Sequence, residues 1–144
     1  MIDKKQPLLQ IKNLTVTFKV QDGTVKAVNG ISFKVYNGEI VGIVGESGSG
    51  KSQSMLAIMG LLAQNGITHG SVVFNGKELI GLKDNALNKI RGNEIAMVFQ
   101  DPMTSLNPYL KISAQMTEIL ILHKQISYKQ ALAKSIEMLE KVKI

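Results

Sequence analysis

The sequence predicts an α/β fold organised around a strand–loop–helix unit, and three observations carry that reading. An apolar run, Ile40-Val41-Gly42-Ile43-Val44, leads directly into Gly45-Glu46-Ser47-Gly48-Ser49-Gly50-Lys51-Ser52 and then a helix-like segment from about Lys51 to Leu62. Strand-like alternation comes before it, with Leu14, Val16 and Phe18 on one face of a first strand and Ile31, Phe33 and Val35 on one face of a second. A further apolar run, Ile95-Ala96-Met97-Val98-Phe99, follows later. Fully apolar runs of this length suit strands buried on both faces at the centre of a sheet.

The elements follow in order. Gln21-Asp22-Gly23-Thr24 is a turn, and Asp-Gly between strand-like runs favours a hairpin. Tyr36-Asn37-Gly38-Glu39 turns the chain into the run at 40–44. After the helix, Gln64-Asn65-Gly66 and His69-Gly70 read as punctuation, and Ser71–Phe74 reads as a strand meeting the tight-turn dipeptide Asn75-Gly76. Residues 84–91 suit a short helix, and Gln100-Asp101-Pro102 halts the strand at 95–99. Asn107-Pro108 ends a loop before a mostly helical tail. In that tail Ser127 and Gln130 fit a capping box. Leu132, Ile136 and Leu139 form an apolar stripe, and Glu137 and Lys141 are spaced for an ion pair. The sequence stops at Ile144 without a Gly, Asn or Pro stop signal, which reads as a truncated helix.

Composition bounds the function. The chain has 144 residues, 44% hydrophobic and 19% charged, as in an ordinary globular domain or part of one. Its net charge of +6 is spread out, with Lys4-Lys5 as the only adjacent basic pair, so nucleic-acid binding is not expected. No cysteine is present, which excludes disulfides and thiolate metal sites. The N-terminus lacks the apolar core of a signal peptide, and no window reaches the roughly 18 apolar residues of a membrane span.

Residues 45–52 match G-x-x-x-x-G-K-[S/T], the P-loop. Its glycines allow a tight turn in which successive amide N–H groups converge, and the helix start adds unpaired donors and the positive end of a dipole. A triphosphate fits such a nest. Lys51 would reach the β/γ-phosphates, and the Ser52 hydroxyl would take one Mg²⁺ position. The guanine motif N-K-x-D begins at Asn88-Lys89-Ile90 but ends on Arg91, so a GTPase is not expected. A Mg²⁺-binding aspartate should follow the strand at 95–99 directly, yet Gln100 stands there and Asp101 comes one residue late, on the opposite face.

Taken together, the antiparallel opening, the loop Gly-Glu-Ser-Gly-Ser-Gly-Lys-Ser and the strand ending on Gln100 resemble the ATP-binding subunits of ABC transporters. The run Val98-Phe99-Gln100-Asp101-Pro102-Met103-Thr104-Ser105-Leu106-Asn107-Pro108 narrows the likeness to the oligopeptide/dipeptide permease branch. Ser52-Gln53-Ser54 and Met59-Gly60-Leu61-Leu62 are similar to that branch's D-type subunits. The resemblance spans residues 8–144. It implies a P-loop NTPase fold of the ABC type, with an antiparallel β subdomain (8–44 and 70–80), the P-loop unit (40–62), an incomplete core sheet, and the Q-loop with the start of a helical subdomain (101–144).

It also implies roles. Phe18 falls where an aromatic residue stacks on adenine, though it reads equally as a core strand residue. Backbone amides around Gly45, Ser47, Gly48, Ser49, Gly50, Lys51, Ser52 and Gln53 would bind ATP. Ser52 and Gln100 would approach Mg²⁺, and Lys51 and Gln100 would serve catalysis. Partners implied are transmembrane permease subunits facing residues 101–122, a second ABC ATPase subunit in a head-to-tail dimer and, indirectly, a peptide-binding protein. The setting is the cytoplasmic face of the cell membrane.

The family's signature loop, Walker B pair and switch histidine are absent from these residues, so the segment alone is expected to be inactive. His69 and His123 read as surface or capping residues, Met55 and Met59 as core packing, and Glu46 as solvent-facing. A small P-loop kinase is an alternative, weakened because Arg91 is the only arginine available for a lid. A nucleotide-gated, non-catalytic module is another.

Overall fold

Two long strands come first, β1 (Leu9–Val20) and β2 (Gly23–Val35), paired antiparallel around the expected turn, with Val20 opposite Gly23. The computed structural model describes residues 6–100 and 106–144, so Lys4-Lys5 and residues 101–105 of the Q-loop motif lie outside the described residues. Helix α1 (Lys51–Met59) follows, then β3 (Gly66–Phe74), β4 (Lys77–Glu78) and the one-turn helix α2 (Asp84–Leu87). The four strands form one sheet in the order β2-β1-β3-β4. Helices α3 (Ile112–Lys124) and α4 (Tyr128–Lys141) complete the chain, which divides into two compact units at Leu87/Asn88.

In the first unit the sheet's apolar face buries Ile11, Leu14, Val16 and Val72, and α1 adds Ala57, Ile58 and Met59. The larger of these side chains, Val, Leu, Ile and Met, each contribute about 1.5–3 kcal/mol on leaving water. Strict alternation does not explain why both Ile11 and Leu14 are buried, three residues apart. A register shift between them does: Asn13 adopts φ 48°, and its N–H and side chain bond the Ser32 hydroxyl. The strand opposite accommodates this bulge with a glycine. A Cβ at Gly70 would lie 2.5 Å from the Asn13 carbonyl oxygen. His69-Gly70 is therefore inside β3, correcting its reading as punctuation, with His69 exposed opposite Thr15. Asn75 and Gly76, at φ 47° and 79°, make the expected tight turn into β4.

The apolar runs at 40–44 and 95–99 differ from expectation. Neither joins the sheet, and Ile95 makes only an isolated bridge with Arg91. Ile40, Val44 and Val98 are 98%, 93% and 96% exposed. A strand buried on both faces needs neighbours on both edges and a layer over each face, and the described residues supply neither to these segments. The helix expected over 84–91 is confined to α2.

In the second unit α3 and α4 pack against each other across a three-residue connection. The buried residues of these helices are small: Thr117, Ala131 and Ser135. Leu132 and Leu139 of the expected stripe are half-buried, while Ile136 is largely exposed. The capping box forms as expected, with the Ser127 N–H donating to Gln130 Oε1 at 3.0 Å and the Gln130 N–H to Ser127 Oγ at 3.4 Å. Glu137 and Lys141 pair at 2.8 Å.

Glu78 closes the β3–β4 hairpin. Its carboxylate accepts from the Ser71 hydroxyl and from the backbone N–H groups of Val72 and Ile80. Partial burial pushes its pKa up, but these hydrogen bonds together outweigh that and hold it below the usual 4.5. A lowered carboxylate pKa stabilises the fold above the unfolded-state value, and that stability is lost as pH falls through the folded value. Acid titration of the melting midpoint should therefore show a fall beginning near pH 4.5 that is shallower in Glu78→Gln.

Candidate functional site

The loop at 45–50 turns on two left-handed glycines, Gly48 (φ 80°) and Gly50 (φ 88°), and Ser49 N–H bonds the Glu46 carbonyl at 3.2 Å. Gly50 is also the N-cap of α1 and offers no side-chain cap. The first amides of the helix are left for another acceptor. Ser54 returns its hydroxyl and its N–H to the Gly50 carbonyl, both at 2.9 Å, which fixes the helix to the loop.

Space dictates the same glycine. A Cβ at Gly50 would stand 2.2 Å from the carbonyl oxygen of Ala27 on β2. The loop is thus pressed onto the sheet's edge strand. Ala27, Gly48, Ser49, Gly50, Lys51, Ser52 and Gln53 line a cavity of about 200 Å³ at this point. A larger hollow lies at Tyr36–Glu39, where Glu39 caps the Tyr36 N–H at 2.7 Å, but it gathers no comparable set of donors.

Lys51 lies across the loop, its ammonium donating to the carbonyls of Gly45 (2.8 Å) and Glu46 (2.7 Å) and to Ser49 Oγ (3.2 Å). These three acceptors hold the charge over the cradle. The Ser52 side chain is exposed at the helix start, and the Glu46 side chain points to solvent as expected. Phe18 is half-buried near the end of β1, opposite Gly66. Gln100 is exposed and belongs to the second unit. The structure thus gathers Gly48 to Gln53 into one site in the first unit, with Gly45 joined to it through Lys51; it does not place Ser47 in the cavity lining. Ala27 was missed by sequence reasoning, because a small strand residue carries no local signal of its neighbour. His123 lies against the turn at Gly92, 3.5 Å from where a Cβ would be, and Lys124 bonds Asn93 Oδ1 at 3.0 Å.

The fold and the loop define a P-loop nucleotide-binding cassette. The chain belongs to the ABC transporter family, whose model matches residues 28–144. It is 56% identical to the oligopeptide transport ATP-binding protein OppD of Haemophilus influenzae over 96% of the chain and 43% of that protein. With the protein of the same name from Escherichia coli it shares 53% identity over 95% of the chain and 41% of that protein. The chain thus spans about two-fifths of the length of these relatives. Among solved structures, the ATP-binding cassette MJ0796, a dimer bound to ADP and Pi in a post-hydrolysis state, superposes with a TM-score of 0.78 at 29% identity, over 92% of this chain and 56% of that one. No helix among the described residues is long and apolar enough to cross a membrane.

The two left-handed glycines separate backbone strain from space. Gly48 has open space where a Cβ would go, whereas Gly50 faces the Ala27 carbonyl. Both Gly→Ala changes carry the left-handed cost of about 1–2 kcal/mol. Gly50→Ala should cost about 1–3 kcal/mol more from overpacking, read as the difference between the two denaturation midpoints.

Proposed function

We propose that the whole protein is the ATP-binding subunit of an ABC importer, coupling ATP hydrolysis to uptake of oligopeptides or dipeptides at the cytoplasmic face of the membrane. The observation that carries this reading is the cradle at Gly48–Gln53, with its uncapped helix start and the Lys51 ammonium poised over it. The relatives' transport roles support the choice of peptide cargo.

In this reading the amides of Ser47 to Gln53 receive the phosphates. Lys51 exchanges the Gly45 and Glu46 carbonyls for β/γ-phosphate oxygens, so its charge moves from neutral acceptors to anionic ones. Phe18 stacks on the adenine. Ser52, exposed at the start of α1, would hold a Mg²⁺ ion through its hydroxyl. Mg²⁺ bound there supplies charge neutralisation for phosphoryl transfer. Gln100 would contact that ion and orient the attacking water.

Catalysis is positioning and electrostatic stabilisation, completed by a second ATPase subunit docked head to tail. Residues 101–122 would face the transmembrane permease subunits, which receive peptide from a separate binding protein. Nucleic acid has no part. Without the signature loop, Walker B pair and switch histidine, the 144 residues bind nucleotide weakly and do not turn it over.

Titration of the chain with ATP tests the reading. Lys51→Ala should abolish binding. Phe18→Ala should weaken ATP by about 1–3 kcal/mol, the usual worth of base–aromatic stacking, while sparing inorganic tripolyphosphate. Robust Lys51-dependent hydrolysis by the 144-residue chain alone would overturn the assignment of the missing groups to the rest of the protein.

A further inference from the structure

The segment leaving α1 is stitched to β1 beside Phe18. Helix α1 ends on a left-handed Gly60, with Gly60 and Leu61 N–H groups returning to Ala57 and Leu56 carbonyls. A few residues later, Asn65 brackets Lys19, the residue after Phe18. The Lys19 N–H donates to the Asn65 carbonyl at 3.0 Å, and Asn65 Nδ2 donates to the Lys19 carbonyl at 2.9 Å. One asparagine thus satisfies both backbone groups of Lys19.

Gly66 supplies the space. It lies directly opposite Phe18 in the β1–β3 register. A Cβ there would stand 2.9 Å from Phe18 Cε1, 3.0 Å from the Ala63 carbonyl oxygen and 3.0 Å from Leu62 Cβ. Gly66 is not among the glycines with positive φ, so room beside the aromatic ring, the Ala63 carbonyl and Leu62, rather than backbone conformation, calls for glycine here. The ring edge rests where a side chain would otherwise be. Its N–H closes the turn onto the Ala63 carbonyl at 2.8 Å.

We propose that Asn65 and Gly66 are positioning residues that fix the Phe18 ring relative to Lys51, and so set the preference for a nucleoside triphosphate over a bare polyphosphate. The physical link is short. Lys51 begins α1, and the loop at the other end of that helix holds the Phe18 ring and the residue next to it. A base and a phosphate chain of fixed length are bound together only if their two platforms keep a fixed separation. This inference rests on the proposed stacking role of Phe18.

The test compares ATP and inorganic tripolyphosphate, titrated into the 144-residue chain by ligand-observed NMR, which reads weak binding. Asn65→Ala and Gly66→Ala should each weaken ATP roughly threefold to tenfold, as expected for the loss of a hydrogen bond or a comparable contact, and leave tripolyphosphate unchanged. In a Phe18→Ala background Asn65→Ala should have no further effect on ATP. Equal losses for both ligands, or an undiminished effect in that background, overturn the proposal. If Asn65→Ala fails to fold, Gly66→Ala decides, because it keeps both Asn65 hydrogen bonds. Wild-type chain that binds no ATP in a Lys51-dependent way sinks the proposed function and this inference together. Lys51-dependent binding with unchanged ligand preference in the variants sinks this inference alone.

Discussion

The approach of Gly50 to the Ala27 carbonyl is the constraint on which the site depends. Only a residue without a side chain can lie that close to β2, and only glycine holds φ 88° there without penalty. Because Gly50 also begins α1, the same contact fixes where the helix starts and where its unpaired amides point. Helix α1 in turn is held by packing on β1 and β2, where Ala57, Ile58 and Met59 are buried. The antiparallel sheet is therefore the mount for the phosphate loop. Its position is set by ordinary core packing, and its edge strand meets the loop directly at Ala27.

What was legible in the sequence was chemistry that acts locally. The Asp22-Gly23 hairpin, the Asn75-Gly76 turn, the Ser127–Gln130 capping box and the loop at 45–52 each depend on residues within a few positions of one another. What was not legible depends on register between strands. Nothing near Gly70 announces that it must pass a bulge at Asn13, and nothing near Ala27 announces the loop above it. Asn65 looked like punctuation, yet its partner Lys19 is 46 residues away. The runs at 40–44 and 95–99 show a further limit. Their composition states the surroundings a segment requires, not whether those surroundings are present.

The second unit shows why a helical stripe read from spacing alone turned partly outward. Thr117 of α3 and Ala131 and Ser135 of α4 are buried, and the Thr117 and Ser135 hydroxyls are satisfied within their own helices. The buried positions of these two helices are thus small side chains, and several larger apolar ones stay outside them. Ile119, Leu122, Ile136 and Met138 are accordingly exposed. The turn before Gln100 is gripped separately, by His123 and Lys124 at the end of α3.

The uncovered runs at 40–44 and 95–99 have a consequence for the chain in solution. Each is a short, uncharged, proline-free segment rich in β-branched or aromatic residues, with its backbone outside any ladder. Segments of that kind are templates for cross-β stacking between molecules. The features that suit them to the middle of a sheet thus make them adhesive when bare, and one of them adjoins the phosphate loop. The run at 40–44 leads straight into Gly45, so self-association through it would act on the segment that enters the phosphate loop.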